Sequence, residues 1–298
     1  MRNQEKTVSV VIPTYNCREI LRDCLESVRS QTHRPVELIV VDSCSTDGTR
    51  ELAEQYATVL SFGGNAAHTT INARPFKQNW AHTKATGDYL YWFDSDMRMK
   101  PDTIERCVHA LESENADAVI VPEESYGEGF WAQCRRLEKA CYNRNPLSLT
   151  DAARFLKLSV WNELGGFDTT LGSTQDYDLQ LRLNDAGYKT VKLSDCILHY
   201  EGRLSLKKHL RKKFIYGTSA MRYFRKYKSR DGLLSRQFAV VRPDFLSARD
   251  LLAREPFVAA GMISMKIMEY TAAFLGLLYS QVHKEDLQAY VGEGVAHS

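Results

Sequence analysis

The first hundred residues alternate between short β-branched runs and amphipathic segments, a pattern that few folds accommodate. The run VSVVIPTYN precedes REILRDCLESVRSQ, whose apolar residues recur at helical spacing, and a second β-branched run, VELIVVDS, follows. Strand, helix and strand in this order form the parallel βαβ unit. Further helices are predicted over STDGTRELAEQYA and around residues 80 to 86, with strands over TVLSF and YLYWF. The pattern predicts an α/β protein with a doubly wound sheet flanked by helices.

Carboxylates fall at the ends of three predicted strands. Asp42 follows LIVV, Asp47 lies in the next loop, and Asp94 and Asp96 follow the run YLYWF. Ligands of doubly wound sheets bind beyond the carboxyl ends of the strands. Acids beside a buried strand need a partner that offsets their desolvation, so a positive group is expected near the pair. Two acids one residue apart can also hold a divalent cation that bridges two phosphates, and a solvated turn is the alternative.

Composition and the N-terminus favour an intracellular globular protein. The 298 residues are 44% hydrophobic and 26% charged, which argues against extensive disorder. Seven cysteines occur without a CxxC pair, so neither a zinc knuckle nor a disulfide framework is expected. We expect the cysteines to be free thiols in a reducing cytoplasm. The first apolar run is short and is broken by Pro13, so no signal peptide is predicted.

Basic charge is concentrated near the start of the C-terminal third. From Gly202 to Arg230 there are eleven Lys or Arg and no Asp or Glu, although the net charge of the chain is only +2. Apolar residues recur there near helical spacing, at Leu206, Leu210, Phe214, Gly217, Met221 and Phe224. A basic amphipathic helix suits an anionic membrane surface, with Phe214, Met221 and Phe224 inserted shallowly. A nucleic acid or a phosphorylated substrate is the alternative partner for such charge.

The remaining segments are less regular. Residues 123 to 160 are predicted to be a helical, aromatic insertion. Residues 257 to 280 are apolar but interrupted by Lys266 and Glu269, so they lack the roughly 20 uninterrupted apolar residues of a spanning helix. We therefore expect peripheral or monotopic membrane attachment, and a soluble helical cap or a homodimer interface is the alternative.

Five short segments in order resemble the family 2 glycosyltransferases, enzymes with the GT-A fold. They are VSVVIPTYNCREILRDCLESVRSQT, ELIVVDSCSTDGT, ATGDYLYWFDSDM, LGGFDTTLGSTQDYDLQLRLNDAGYK and ILHYEG, and together they cover roughly residues 7 to 202. The resemblance implies a GT-A type doubly wound mixed sheet. It also implies inverting transfer of a sugar from a nucleotide diphosphate sugar, assisted by Mn or Mg.

The resemblance assigns a donor-binding role to seven residues. Carried over position by position, they are Pro13, Thr14, Tyr15, Asp42, Asn79, Asp94 and Ser95. The first three match the loop that holds the nucleoside, where the Tyr15 ring covers the base or, alternatively, simply packs. Asp42 matches the acid that accepts a hydrogen bond from the base.

The sequence departs from the family pattern at several positions. Cys44 stands where the family usually has Gly, so a different turn is conceivable there. The family often has an Arg-Asn pair where this sequence has Gln78 and Asn79, so Asn79 fits the pattern and Gln78 does not. Arg74 or Lys77 is the candidate to supply the positive charge of the missing Arg. Gln175 replaces the usual Glu of an acidic pair, and this replacement leaves the second member, Asp176, in place.

The resemblance also supplies the metal ligands and the catalytic base. Asp96 matches the direct metal ligand, and His199 falls where many relatives have a second ligand, although a structural role for a His at a strand end is the alternative. Asp176 matches the general base that takes the proton of the acceptor hydroxyl. Asp178 and Arg182, one turn further on, are expected to be structural support, and contacts to the acceptor are the alternative.

The sequence therefore predicts a catalytic domain over residues 1–202 and a membrane-associating helical extension over residues 203–298. The predicted enzyme moves a sugar, from a UDP-sugar by preference, to a hydroxyl of a lipid-linked or membrane-presented glycan at the cytoplasmic face of the membrane. Transfer to a polyprenyl phosphate, which needs no base, is one alternative. A nucleic-acid-binding protein using residues 203 to 230 is another, but the aromatic residues there lie on the apolar helix face, so no nucleic-acid partner is expected.

Overall fold

The structure is a computed structural model, which describes residues 6–63, 74–145, 152–194, 197–230, 232 and 242–283. The described residues form two compact units, which lie within the following ranges. The first comprises residues 1–122, 152–169 and 175–199, and the second comprises residues 123–151, 170–174 and 200–298. The functional division at residue 202 stays a prediction.

The described strands and helices are numbered in chain order. The strands are β1 Val8–Thr14, β2 Val36–Asp42, β3 Thr58–Ser61, β4 Tyr89–Trp92, β5 Met97–Arg98, β6 Ala118–Ile120, β7 Glu123–Glu128, β8 Phe155–Lys157, β9 Thr190–Lys192 and β10 Ile197–Arg203. The α-helices are α1 Arg18–Arg29, α2 Thr49–Ala53, α3 Arg74–His82, α4 Thr103–Ser113, α5 Phe130–Arg144, α6 Leu158–Leu164, α7 Gln175–Asp185, α8 Leu206–Tyr227, α9 Pro243–Ser247, α10 Arg249–Arg254 and α11 Pro256–Val282.

The first unit is built on a seven-stranded sheet in the order β3-β2-β1-β4-β8-β6-β9. Strands β1 to β4 run parallel, and β6 and β9 are parallel to each other. Strand β8 lies antiparallel between β4 and β6. The sheet is therefore mixed and is flanked by helices, which confirms the predicted fold class.

Both faces of the sheet are buried, as the near-continuous apolar strands predict. Along β4, Tyr89 and Tyr91 belong to the core cluster on one face, and Leu90 and Trp92 belong to the cluster on the other. This alternation follows the two-residue period of a strand. Helix α1 covers the first face with four of the five apolar residues that recur at helical spacing; Leu21, Cys24, Leu25 and Val28 are buried, and Ile20 is only partly buried.

Two local predictions were wrong in the first unit. The helix placed around residues 80 to 86 is α3, which begins at Arg74 and ends at His82. Part of the segment interpreted as an insertion is β8, a central strand. Only three residues long, β8 is too short to show a period, and its place in the sheet depends on pairing with residues distant in sequence.

The second unit contains helices α5, α8 and α11. Helices α8 and α11 contact each other at two glycines. A Cβ added to Gly217 of α8 would lie 1.9 Å from the carbonyl oxygen of Ala273, and a Cβ added to Gly276 of α11 would lie 2.0 Å from the carbonyl oxygen of Phe214. The Phe214 ring packs 5.7 Å from the Tyr279 ring. Phe214 is therefore part of this helix contact, which differs from its predicted insertion into lipid.

The charges that interrupt the apolar sequence of α11 are paired inside the second unit. Lys266 Nζ lies 2.7 Å from both Glu138 Oε1 and Glu269 Oε2, and all three residues are buried. His209 Nε2 lies 2.5 Å from Glu269 Oε1. Because each buried charge has a partner of opposite sign, one face of α11 packs against protein despite carrying two ionisable groups.

Candidate active site

The ends of β1 and β2 meet through the predicted nucleoside-binding residues. Thr14 Oγ1 donates to Asp42 Oδ1 at 3.1 Å, and the backbone nitrogen of Ser45 donates to Asp42 Oδ2 at 2.9 Å. Asp42 is buried, whereas the neighbouring Tyr15 is 46% exposed, so its ring is accessible to a planar ligand. Pro13 pairs with the residue before Asp42 in the sheet register.

Cys44 adopts the backbone conformation that glycine favours. Its φ angle is +56°, in the left-handed region that side chains other than Gly, Asn and Asp rarely occupy. The turn after β2 is thus compatible with the glycine common in the family. Asp47, by contrast, is used for structure: its carboxylate accepts hydrogen bonds from the backbone nitrogens of Arg18 and Thr49, at the starts of α1 and α2.

The two aspartates of the WFDSDM segment lie in one tight turn that includes Ser95. The backbone nitrogen of Met97 donates to the Asp94 carbonyl oxygen at 3.1 Å and closes the turn between β4 and β5. The two carboxylates then have different partners. Asp94 contacts arginines, and Asp96 contacts His199.

Asp94 has the positive partners that the sequence predicted for this pair. Arg74 Nη2 contacts its Oδ1, and Arg154 Nη1 lies 3.0 Å from its Oδ2. The Arg154 guanidinium also lies 4.6 Å from the centre of the Trp92 ring. Two guanidinium groups therefore offset the desolvation of one largely buried carboxylate.

Asp96 and His199 come together because β5 and β10 pair antiparallel. In that register His199 is opposite Met97, and its Nε2 lies 3.3 Å from Asp96 Oδ2. Among the described residues, no group of three His, Cys, Asp or Glu side chains could hold a metal ion. One oxygen and one nitrogen donor suit a divalent cation that takes its other ligands from a diphosphate and water.

Asp176 lies in the first turn of α7, close to the Asp94 cluster. Burial raises the pKa of its carboxyl group and the Asp94 charge adds to the rise, whereas Arg74 and Arg154 lower it. Its Oδ1 is buried and has no hydrogen-bond partner among the described residues. A raised pKa and an unpartnered oxygen are properties of a group that can accept a proton.

Helix α3 brings three further side chains to this edge of the sheet. Burial lowers the pKa of Lys77 to about 8, and Asp42 opposes that change. The Asn79 side chain donates to the Phe167 carbonyl oxygen at 2.8 Å and accepts from the Phe167 nitrogen at 2.9 Å, so it holds a turn. Gln78 contacts Gln175, as described below.

The predicted support residues, Asp178 and Arg182, contact each other and the backbone near α6. Arg182 donates from Nε to Asp178 Oδ2 at 2.7 Å, from Nη1 to the Leu164 carbonyl oxygen at 2.8 Å, and from Nη2 to that of Gly166 at 2.6 Å. Asp178 is fully buried. These contacts fasten α7 to the turn after α6, as expected of structural support.

Arg154 is the site residue that sequence reasoning missed. It directly precedes β8, and the Trp92 nitrogen donates to its carbonyl oxygen at 3.2 Å, so antiparallel pairing brings it beside the end of β4. The only signal in the sequence is a single basic residue before the short apolar run FLKL. This residue can be assigned to the site only once the run FLKL is known to pair with YLYW.

Ligands of doubly wound sheets bind beyond the carboxyl ends of the strands, which is where the carboxylates, the arginines and the Asp96–His199 pair lie. Residues 9–166 match the sequence model of Glycosyl transferase family 2. This match covers more than half of the chain, and the chain belongs to that family.

Two relatives come from Bacillus subtilis (strain 168). TuaG, whose name assigns it to teichuronic acid biosynthesis as a glycosyltransferase, is 36% identical over 106 residues, 36% of this chain and 42% of its own length. The glycosyltransferase EpsE is 27% identical over 221 residues, 72% of this chain and 79% of its own length. The match to TuaG thus covers less than half of that protein.

Solved structures share the fold. The mannosyltransferase PcManGT from Pyrobaculum calidifontis, in complex with GDP-Man and Mn2+, has a TM-score of 0.55 at 20% identity, covering 98% of this chain and 84% of that one. S. aureus TarS 1-349 in complex with UDP-GlcNAc has a TM-score of 0.51 at 16% identity, covering 95% of this chain and 92% of that one. At these identities the likeness concerns the GT-A fold.

Proposed function

We propose that this protein is an inverting glycosyltransferase that moves a sugar from a nucleotide diphosphate sugar to a hydroxyl of a lipid-linked or membrane-presented glycan, in polysaccharide assembly. The observation that carries the proposal is the Asp176 carboxylate, with its buried, unpartnered Oδ1 and raised pKa beside the Asp94–arginine cluster. The name of TuaG supports a polymer product. The solved relatives are complexes with GDP-Man or UDP-GlcNAc, and we favour a UDP-sugar.

The proposed chemistry is a single displacement. The Asp176 carboxylate takes the proton of the acceptor hydroxyl as that oxygen forms a bond to the anomeric carbon. The bond from the anomeric carbon to the diphosphate oxygen breaks, and its electron pair leaves with the diphosphate. A base whose pKa is raised toward the working pH is better matched to this proton transfer.

Negative charge develops on the departing diphosphate, and cations nearby stabilise it. Arg74 and Arg154 supply two positive groups that the structure fixes against Asp94. Asp96 and His199 would hold a divalent cation, Mn by preference because a neutral imidazole is a ligand. When bound, that ion supplies electrostatic stabilisation of the diphosphate.

The nucleoside is proposed to bind at the ends of β1 and β2. Asp42 accepts a hydrogen bond from the base, and the exposed Tyr15 ring covers the base plane. Pro13 and Thr14 fix the loop that carries Tyr15. Ser95 and Asp94 are proposed to contact the donor from the turn after β4.

The second unit supports membrane association. By length and composition, α11 is the one described helix that could cross a membrane, although a soluble core helix can pass the same test. One face packs on protein through Met262, Met265 and the Lys266 ion pairs. The other face exposes apolar side chains, which are Phe257, Ile263, Ile267, Phe274, Leu275, Leu278, Tyr279 and Val282.

A helix with one protein-facing and one apolar exposed side suits monotopic attachment in the lipid interface. Helix α8 of the same unit supplies exposed Lys207, Lys208, Arg211 and Lys212, which attract anionic lipid headgroups. We therefore propose that the enzyme works at the inner face of the cell membrane and acts there on its acceptor.

The test is a screen of nucleotide sugars for binding and for metal-dependent hydrolysis, with the Asp176→Asn variant alongside. The proposal expects one donor to bind both proteins equally, with turnover only in the wild type. A full rate in Asp176→Asn with a polyprenyl phosphate acceptor would instead favour transfer to an oxygen that is already ionised.

A further inference from the structure

Two buried glutamines join α3 to α7 directly. Gln175 Nε2 donates to Gln78 Oε1 at 2.6 Å, and the two residues are 2% and 0% exposed. The other ends of both amides, Gln78 Nε2 and Gln175 Oε1, are buried and have no hydrogen-bond partner among the described residues. Leaving such groups unpaired costs stability, so two glutamines are a poor choice for packing alone.

The pair is adjacent to the proposed base. Gln175 is the first residue of α7 and Asp176 is the second. The adjacent Gln175 side-chain amide lowers the pKa of Asp176 and so partly opposes the effect of burial. The Gln175 amide therefore influences both the position of the first turn of α7 and the charge of its carboxylate.

The same two helices are also fastened to one turn. Asn79 of α3 holds Phe167 by two hydrogen bonds, and Arg182 of α7 holds Gly166. A Cβ on Gly166 would lie 2.8 Å from Asn79 Oδ1, so only glycine allows this approach. The turn fixes the middle of α7, and the glutamine pair fixes its beginning, where Asp176 lies.

We infer that Gln78 and Gln175 are positioning residues, which hold Asp176 in place for proton abstraction, and that the pair must carry no net charge because an unbalanced charge at either position acts on that carboxylate. This inference rests on the proposed role of Asp176 as the base. The family often has Arg and Glu at these two positions, whereas this protein has two neutral amides. A negative charge at position 175 alone, however, would oppose ionisation of Asp176.

The test uses isosteric charge changes and the pH dependence of transfer. In Gln175→Glu, Gln78 can turn its unpartnered amide nitrogen toward the new carboxylate, so packing is preserved. The acid limb of the pH–rate profile should move to higher pH. At pH values within this limb, the transfer rate should be about tenfold or more below that of the wild type. Gln78→Glu should shift the acid limb less than Gln175→Glu does. In the double variant Gln78→Arg/Gln175→Glu, the acid limb should return toward its wild-type position.

A fourth variant tests geometry without a change of charge. Gln175→Met keeps the volume and removes the hydrogen bond, and kcat should fall by on the order of 10- to 100-fold while the donor Kd stays unchanged. Asn184→Asp, an exposed site on the same helix, adds the same charge as a control. The limb should not move in this control.

Three results would overturn the inference: an unmoved limb in Gln175→Glu, a wild-type kcat in Gln175→Met, or an equal shift in Asn184→Asp. Failure of the base role itself is distinguishable. Full transfer in Asp176→Asn defeats the proposed function, whereas lost transfer in Asp176→Asn with an unmoved limb in Gln175→Glu defeats only the positioning role.

Discussion

His199 Nε2 lies 3.3 Å from Asp96 Oδ2, across the antiparallel pairing of β10 with β5. The two residues are more than one hundred positions apart in sequence, and the strand register alone brings them together. Asp94, two residues before Asp96, contacts arginines instead. The turn thus separates a carboxylate that is already neutralised from one that pairs with an imidazole.

The first prediction concerns the metal. Transfer should require a divalent cation, and His199→Ala should raise the Mn concentration needed for half-maximal rate, because one of the two proposed protein ligands is lost. About a 10- to 100-fold increase is expected. Metal titrations of the rate, with the exposed His109→Ala as a control, measure this. A full transfer rate in excess chelator would contradict the metal assignment.

The second prediction concerns the base. Asp176→Asn should reduce transfer by about 100-fold or more, because the proton of the acceptor hydroxyl loses its recipient. Donor affinity, measured by calorimetry, and the melting temperature should stay close to wild type. Asp185→Asn, at an exposed position of α7, is the matched control. An equal loss of donor affinity would make Asp176 a binding residue.

The third prediction concerns pH. Burial raises the pKa of Asp176, so the rate should fall, as the pH drops, at a higher pH than for an ordinary aspartate. Arg154 opposes that rise, and Arg154→Met should therefore move the acid limb to still higher pH, whereas Arg154→Lys keeps the charge and should move it less. Single-turnover rates across pH decide this. An identical limb in all three proteins would show that another group controls it.

The fourth prediction concerns the membrane. Charge reversal at Lys207, Lys208, Arg211 and Lys212 should release the protein from anionic vesicles, because each nearby Lys or Arg contributes roughly 1 kcal/mol of attraction. High salt should have the same effect. Ile267→Ser/Phe274→Ser should weaken binding without this salt sensitivity, because it removes apolar contact.

Vesicle sedimentation with phosphatidylglycerol and with phosphatidylcholine measures both effects. If the wild-type protein, purified without detergent, does not bind anionic vesicles at low salt, membrane attachment is contradicted. Light scattering would then show whether the apolar face of α11 joins two copies of the chain.

The fifth prediction concerns helix packing in the second unit. An alanine in place of glycine inside a helix normally stabilises it by about 1 kcal/mol. Gly217→Ala and Gly276→Ala should instead destabilise the protein by about 1–3 kcal/mol, because the added Cβ meets the backbone of the other helix. Thermal unfolding measures the sign, with Ser264→Ala on the exposed face of α11 as the control. Stabilisation by both glycine variants would contradict the close contact.

Much of the site could be predicted because its residues follow strands with a clear period. Asp42, Asp94 and Asp96 lie at strand ends that the apolar runs mark, and the resemblance added Asp176 and His199. Arg154 could not be predicted, since the short strand after it is recognisable only once it pairs with β4. The sequence showed that Gln78 and Gln175 each depart from the family, but not that they contact each other.

The sequence by itself determined the α/β class, the position of the parallel strands and the concentration of basic charge before Arg230, because these depend on local periodicity and composition. Tertiary structure decided which charges are neutralised. Lys266 and Glu269 interrupt an apolar segment in sequence, yet they form buried ion pairs in the second unit. The energy of a charge depends on burial and on the distance to its partner, and pairing with residues distant in sequence sets both.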